Sequence, residues 1–272
     1  MKGTILILCG DARSSRLCDL LEQDGNAVRR FSALPSDREL QSEIQRSDIL
    51  VLPTPVTRGE SLFGDETNLP WSTLFSFLPP RQHVFGGGFS KQQKQFLQTR
   101  GIAYTDFLAD SAFVRRNAAL TAQGALRLLL AHTERFLPQL RILIAGYGNV
   151  GKETAAWLQA LGCSCTVAAR SEIQRQAAAE IGCNTMPLQQ AGNRLFAIDV
   201  VINTIPAIWL SEKSLSETKP GDIYLELASA PFGAEKKAPE RHGMCCPDGR
   251  GLPGRYCPLA AAEAMKDCMD AT

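Results

Sequence analysis

Three glycines, Gly146, Gly148 and Gly151, stand in G-x-G-x-x-G spacing directly after the apolar run from Leu140 to Ile144. Four of the five residues in that run are apolar, the pattern of a parallel strand covered on both faces. The spacing suits a strand-to-helix turn that receives a pyrophosphate. Gly146 permits the tight turn, Gly148 lets the backbone approach the phosphates, and Gly151 lets the next helix pack against the strand. A helix from about Asn149 to Leu161 would aim its free N–H groups and positive dipole end at that anion. Gly146, Tyr147, Gly148, Asn149, Val150 and Gly151 are therefore expected to hold a dinucleotide. The plainer alternative is a glycine-rich turn that only packs a helix on a strand. The context of the motif, with a strand before it, a helix after it and a second strand at Cys163 to Ala168, favours the dinucleotide.

The end of that second strand selects between cofactors. NAD-type sites place an acid about twenty residues past the motif to accept from the ribose 2′-OH. Here Ala168, Ala169 and Arg170 offer none, and the nearest acid, Glu172, falls inside the next helix. Arg170 supplies a guanidinium and Ser171 a hydroxyl at a helix start, chemistry that suits a 2′-phosphate. Ala169, Arg170 and Ser171 are expected to read NADP, with NAD still possible; an ordinary solvated charge is the alternative for Arg170.

Further turns follow other strand ends, where ligands of open parallel sheets sit. Asn203, Thr204, Ile205, Pro206 and Ala228 are expected on the cofactor's edge. Thr54, Pro55 and Arg58, with Gly87, Gly88 and Ser90, are expected to take a small anionic substrate, helped by Ser229 and Gly251. The Gly86–Ser90 stretch reads as bare backbone N–H groups at a helix start, and Arg58 as a fork for a carboxylate. The arginines have a surface-charge reading as well. The catalytic group is unknown: a proton could pass to solvent, to Asp11 or to His242. The three histidines and the cysteine spacings suggest no metal site.

Alternating apolar runs and helical stretches place these turns on two doubly wound, Rossmann-like parallel α/β sheets joined by a long helix. The expected divisions are an α/β domain over 1–110, a connecting helix over 111–137, a nucleotide domain over 138–256 and a terminal helix over 257–272. Strands are expected at Thr4–Leu8, Ala27–Phe31, Asp48–Leu52, His83–Phe85 and Ile102–Tyr104. In the second half they are expected at Arg141–Ala145, Cys163–Ala168, Thr185–Met186, Val200–Asn203, Ile223–Leu227 and Met244–Cys245. The long helix reads from Asp110 to about Phe136, stopped by Pro138, and Gly249–Arg255 reads as a flexible loop. A substrate held in a cleft between the two domains, with the long helix as hinge, is the expected arrangement.

The 272 residues are 44% hydrophobic and 21% charged, a globular composition. A net charge of +1 argues against nucleic acid or an anionic membrane surface as partner. No apolar run approaches the ~20 residues of a spanning helix, and the short apolar start reads as a first strand. The nine cysteines fit reduced thiols in a cytoplasm.

Several stretches together resemble one family, the A subunits of dipicolinate synthase. They are Gly10–Arg13, Leu52–Pro55, Asn117 with Thr121–Gly124, Leu143–Gly151, Val167–Arg170, Ile202–Ala207, Leu225–Ser229 and Gly251–Gly254. The resemblance implies oxidation of a dihydrodipicolinate-type dicarboxylate to dipicolinate with NADP or NAD, in the mother-cell cytoplasm of a spore-forming bacterium. It also implies a flavoprotein-like partner, the B subunit of such a synthase. Assembly as a homo-oligomer is expected. Two further readings stay open. One is an NADP oxidoreductase similar to shikimate dehydrogenase, although an early Lys/Asp dyad is missing. The other is a nucleotide-binding subunit without activity of its own.

Overall fold

The computed structural model describes residues 3–64 and 66–272. In the first half, β1 (Thr4–Leu8), α1 (Ala12–Gln23), β2 (Ala27–Phe31), α2 (Asp37–Arg46) and β3 (Ile49–Val51) alternate as expected. A small hairpin, β4 (Thr57–Arg58) and β5 (Ser61–Leu62), interrupts them, followed by α3 (Trp71–Ser76), β6 (His83–Gly86), α4 (Lys91–Thr99) and β7 (Ala103–Asp106). The strands form a parallel sheet in the order β2-β1-β3-β6-β7. The period-2 alternation of β1 decides how this sheet is buried. Leu6 and Leu8 enter one apolar cluster with Leu50, Phe75 and Leu97. Ile5 and Ile7 enter another with Val51, Leu17 and Phe107. Both faces are covered, so β1 has no polar side.

The helix α5 (Ser111–Ala131) follows. It ends five residues before the expected Phe136. The His132 ring engages the Leu128 carbonyl at 2.8 Å, and the Thr133 hydroxyl accepts from the Arg135 N–H at 3.1 Å, a local turn that competes with helix. Then come β8 (Arg141–Ala145), α6 (Asn149–Ala160), β9 (Ser164–Ala169), α7 (Glu172–Glu180), β10 (Asn184–Pro187), α8 (Leu188–Ala191) and β11 (Val200–Asn203). The chain continues through α9 (Glu212–Leu215), β12 (Ile223–Glu226), α10 (Ala238–Arg241), α11 (Leu252–Tyr256) and α12 (Pro258–Asp270). The second sheet is also parallel, in the order β10-β9-β8-β11-β12. Two doubly wound parallel sheets are thus the fold class. The expected strand at Met244–Cys245 is only a single bridge from Cys245 to Ile223, confined by Gly243 at φ +79° on one side and Pro247 on the other. The expected loop at Gly249–Arg255 contains the helical turn α11.

The chain divides into two units, Met1–Asn117 with Pro253–Thr272, and Ala118–Leu252. In the first unit α12 packs along α1, and Ala262, Met265, Cys268 and Met269 join the cluster of Leu17 and Leu21. In the second, Leu143, Val201, Leu215 and Tyr224 belong to one core. Each sheet has its switch point beside its first strand, between β1 and β3 and between β8 and β11, and there the turns meet.

Candidate functional site

The second sheet's switch point carries the glycine motif. Gly146 has φ +95°, a conformation that a side chain would strain, and a Cβ there would run into Thr204 Oγ1 and Ile205. A Cβ on Gly151 would collide with the Gly146 carbonyl, so the helix lies as close to the turn as the spacing implied. Gly148 is different: a Cβ there meets nothing within 4 Å. It is the N-cap of α6, exposed, and makes no side-chain cap. The first-turn N–H groups of α6 are therefore offered outward, without a protein side chain to accept from them. Asn149 is exposed and Val150 half-buried beside them. Tyr147 contributes backbone only. Its side chain is 4% exposed, and its hydroxyl donates to the Ala177 carbonyl at 3.3 Å. Burial raises the phenol's pKa above its ordinary value. The Tyr147 side chain is thus engaged within the protein.

At the end of β9, Ala169 is buried, while Arg170 and Ser171 are exposed. Ser171 is the N-cap of α7 with no cap hydrogen bond, so its hydroxyl stays available. A residue not singled out in the sequence, Arg175, holds this turn: its Nη1 donates to the carbonyls of Ala169 at 2.8 Å and Arg170 at 3.0 Å. It also pairs with Glu172, which engages the one nearby acid. Arg170 borders a cavity of about 340 Å³ with Gln189, Asn193, Ile205, Ile208 and Trp209. The cavity joins the ends of β9 and β11 on the same side as the glycine turn, where the nucleoside half of a dinucleotide belongs. The residues present fit such a cofactor: an uncapped helix start, an open Gly148 and an unpaired guanidinium.

Asn203 and Thr204 support this turn from below. Asn203 is fully buried, and both ends of its amide are occupied. Its Nδ2 donates to the Ile205 carbonyl at 3.0 Å and to Glu226 Oε1 at 2.6 Å. Its Oδ1 accepts from the Ile205 N–H at 3.1 Å and from the Trp209 indole at 2.9 Å. Four hydrogen bonds exhaust the group, so Asn203 is corrected from a ligand contact to a brace. Glu226 accepts as many: from Asn203 and the Ala228 N–H at 3.0 Å on one oxygen, and from Tyr224 at 2.7 Å and the Gly233 N–H at 2.8 Å on the other. Burial, then the Glu226 charge, drive the Tyr224 phenol far above its ordinary pKa. Thr204 Oγ1 donates to the Ala145 carbonyl at 2.8 Å and lies under Gly146 and Gly151. That leaves Ile205 and Pro206 as the outward part of the turn, with Ala228 half-buried and Ser229 and Gly251 exposed.

The turns of the first unit depart further from expectation. The N–H groups of Gly86–Ser90 are not bare. Gly87 donates to the Pro53 carbonyl at 3.2 Å, Gly88 to Asp106 Oδ1 at 2.7 Å and Ser90 to Gln93 Oε1 at 2.8 Å. Ser90 Oγ accepts from the Gln93 N–H at 3.2 Å, which completes a capping box. Asp106 also pairs with Lys94 at 2.8 Å. A backbone carbonyl, a carboxylate and a side-chain amide of the protein thus take three of the N–H groups expected to face a ligand. Arg58 is exposed, and its guanidinium lies 5.1 Å over the Phe63 ring. Thr54 and Pro55 form the turn after β3. Thr54 Oγ1 is buried without any partner, and the Thr54 carbonyl accepts from Arg13 Nη2 at 2.8 Å.

Neither candidate proton acceptor is free. Asp11 caps α1 and accepts from the Arg13 N–H at 3.0 Å, from Nε at 2.9 Å and from Nη2 at 2.8 Å. His242 Nε2 lies 2.6 Å from Glu212, in the loop region after α10 and away from the glycine turn in sequence. Among the described residues no group of three or more His, Cys, Asp or Glu could hold a metal ion, and no helix is long and apolar enough to cross a membrane.

No protein-family model matches the chain. Over 229 residues it is 25% identical to the A subunit of dipicolinate synthase from Bacillus subtilis (strain 168), covering 83% of this chain and 77% of that protein. The crystal structure of the dipicolinate synthase A subunit from Bacillus halodurans superposes with a TM-score of 0.82 at 22% identity, over 98% of this chain and 96% of that one. A transhydrogenase from Sinorhizobium meliloti follows at a TM-score of 0.68 and 15% identity, over 97% and 83%. Phosphoglycerate and D-lactate dehydrogenases share the fold as well. The resemblance to the A subunits of dipicolinate synthase stands, and the chain shares its fold with these dehydrogenases.

Proposed function

We propose that this chain oxidises dihydrodipicolinate to dipicolinate with NADP, as the A subunit of a dipicolinate synthase that works beside a flavoprotein-like B subunit in a spore-forming cell. One observation supports the reading above the others: the uncapped α6 start with an open Gly148, joined at the switch point to the cavity that Arg170 borders. The backbone N–H groups of Gly148–Gly151 would hold the pyrophosphate. Arg170 and Ser171 would hold the 2′-phosphate, and Ile205, Pro206 and Ala228 would flank the ring end. When bound, the cofactor accepts a hydride. Removing two hydrogens from the dihydropyridine yields an aromatic ring, so the transfer runs downhill and asks little of acid–base groups. The engagement of Asp11 by Arg13 and of His242 by Glu212 agrees with that. The same engagement is the observation that favours the second reading, a nucleotide-binding subunit that turns over only with its partner.

The test is an equilibrium titration with NADPH and NADH, then an assay with dihydrodipicolinate with and without the B subunit. Losing a charge-assisted hydrogen bond costs about 1.5–3 kcal/mol. Arg170→Ala should therefore weaken NADPH by roughly ten- to a hundredfold and leave NADH nearly unchanged. Equal losses for both nucleotides would remove Arg170 from the 2′-phosphate. Turnover only in the presence of the B subunit would select the second reading.

A further inference from the structure

In the Gly86–Ser90 turn Asp106 already takes the Gly88 N–H, and the Arg58 guanidinium lies over the Phe63 ring. The first unit also offers a second candidate receptor for the carboxylates of the substrate class above. Its switch point, between the ends of β1 and β3, holds one. Arg13 is 8% exposed, an unusual degree of burial for a charged residue. Its five N–H donors can be accounted for one by one. Nε and one N–H of Nη2 grip Asp11 as a fork, and Nη2 also donates to the Thr54 carbonyl at 2.8 Å. Both N–H groups of Nη1 remain, with no hydrogen bond among the described residues. Nη1 is not one of the polar atoms sealed off without a partner, so solvent reaches it. In a planar guanidinium Nη1 lies on the side away from the edge that Asp11 occupies, and Asp11 fixes its direction.

Thr54 adds the second feature. Its hydroxyl is buried with neither donor nor acceptor beside it among the described residues, which is unfavourable for a polar group withdrawn from water. Rotation about χ1 carries the hydroxyl to a different staggered position, and a ligand acceptor there would supply the partner it lacks. Glycines pack closely against both Thr54 and Asp11. A Cβ on Gly87 would lie 2.5 Å from Thr54 Oγ1, and one on Gly254 would run into the Asp11 carboxylate. Gly64 approaches the Gly10 backbone, where its Cβ would lie 3.2 Å from both N and O.

We propose that Arg13 Nη1 and the Thr54 hydroxyl form a carboxylate-binding subsite at the switch point of the first sheet, with Asp11 as the residue that positions the guanidinium. The ligand class is a small carboxylate, and one carboxylate of dihydrodipicolinate is the occupant. That last step rests on the function proposed above.

The experiment is calorimetric titration of the full chain with dipicolinate, picolinate and glutarate, for the wild type, Thr54→Val and Arg13→Lys. NADPH affinity and thermal unfolding are measured on each protein. Valine keeps the shape of threonine and removes the unsatisfied hydroxyl, so Thr54→Val should be at least as heat-stable as the wild type. Both variants should bind dipicolinate about tenfold more weakly or worse, with NADPH affinity kept. Wild-type dipicolinate affinity in either variant overturns the subsite while the substrate reading survives. Wild-type binding of glutarate but not dipicolinate, weakened in both variants, keeps the subsite and removes the substrate reading. If the wild type binds none of the three, both fall.

Discussion

At the scale of single residues, the three motif glycines do different work, and substitution separates them. Gly148 has an ordinary φ of −81° and open space where a Cβ would go. Gly148→Val should therefore fold with an unchanged circular dichroism spectrum and lose NADPH in equilibrium titration. Unchanged affinity would place the cofactor elsewhere. Gly151→Ala drives a methyl into the Gly146 carbonyl, and overpacking of this kind costs about 1–3 kcal/mol. That variant should show its defect first in urea unfolding. Asp199 makes a second residue-scale prediction. It accepts from the Arg141 N–H, Nε and Nη2 and from Arg135 Nη1, all at 2.8–2.9 Å. The Arg141 guanidinium first, and Arg135 with it, hold the carboxyl well below its ordinary 3.8. A depressed folded-state pKa adds stability in full above the unfolded value and loses it as pH falls through the folded one. Both arginines are half-exposed, which screens the pair. Asp199→Asn should cost about 1–2 kcal/mol at pH 7, and the gap to the wild type should narrow below about pH 4. A gap independent of pH, by urea titration at both values, would show that the ion pairs contribute nothing.

At the scale of elements, α12 is the piece whose place depends on tertiary packing. Met265 is 2% exposed and Met269 fully buried against α1. Met269→Ala should cost about 2–5 kcal/mol. Arg116, whose pairs with Glu263 and Asp267 are exposed, should be worth under about 1 kcal/mol when replaced by alanine. The two urea midpoints compare them directly, and an equal loss in both would mean that surface charge, not burial, holds α12 down. Local sequence shows that a helix with Leu259, Ala262 and Met265 on one side exists there, but not which unit receives it. The main strands were legible because each is a short apolar run bounded by turn residues, as Ile5–Leu8 and Ile142–Ala145 show. The glycine turn was legible because backbone geometry itself demands its residues. The first-unit turns were not. Whether an N–H at Gly88 is free depends on Asp106, eighteen positions away, and no spacing rule reports that bond. Asn203 looked like a ligand residue for the same reason. Its four partners come from β12, its own turn and Trp209, and only the fold brings them together. Arg13 had a signal, an arginine two positions past an N-cap aspartate, but its burial gave no sign in the sequence.

At the scale of the whole molecule, the two units have separate apolar cores, around Leu6, Ile7 and Phe85 in one and around Leu143, Val201 and Tyr224 in the other. Each also carries its own switch point, with α6 and Arg170 in the second unit and Arg13 and Thr54 in the first. A ligand stabilises what it binds by mass action, by about 2.7 kcal/mol at a hundred times its dissociation constant. Amides that exchange through opening of the binding unit should then slow by about a hundredfold, and amides of a unit that opens independently should not. Hydrogen exchange measured with saturating NADPH should therefore slow β8, β9 and β11 while β1, β3 and β6 keep their rates. Dipicolinate alone should give the reverse pattern, centred on β1 and β3. Gly148→Val should erase the first pattern and keep the second, and Arg13→Lys should do the opposite. Equal slowing of both sheets by either ligand would show that the cores open as one cooperative body, and a single-residue defect on one side would then weaken binding on the other. If NADPH slowed β1 and β3 alone, the dinucleotide would sit on the first sheet, and the glycine motif would be the helix-packing turn that its spacing also allows.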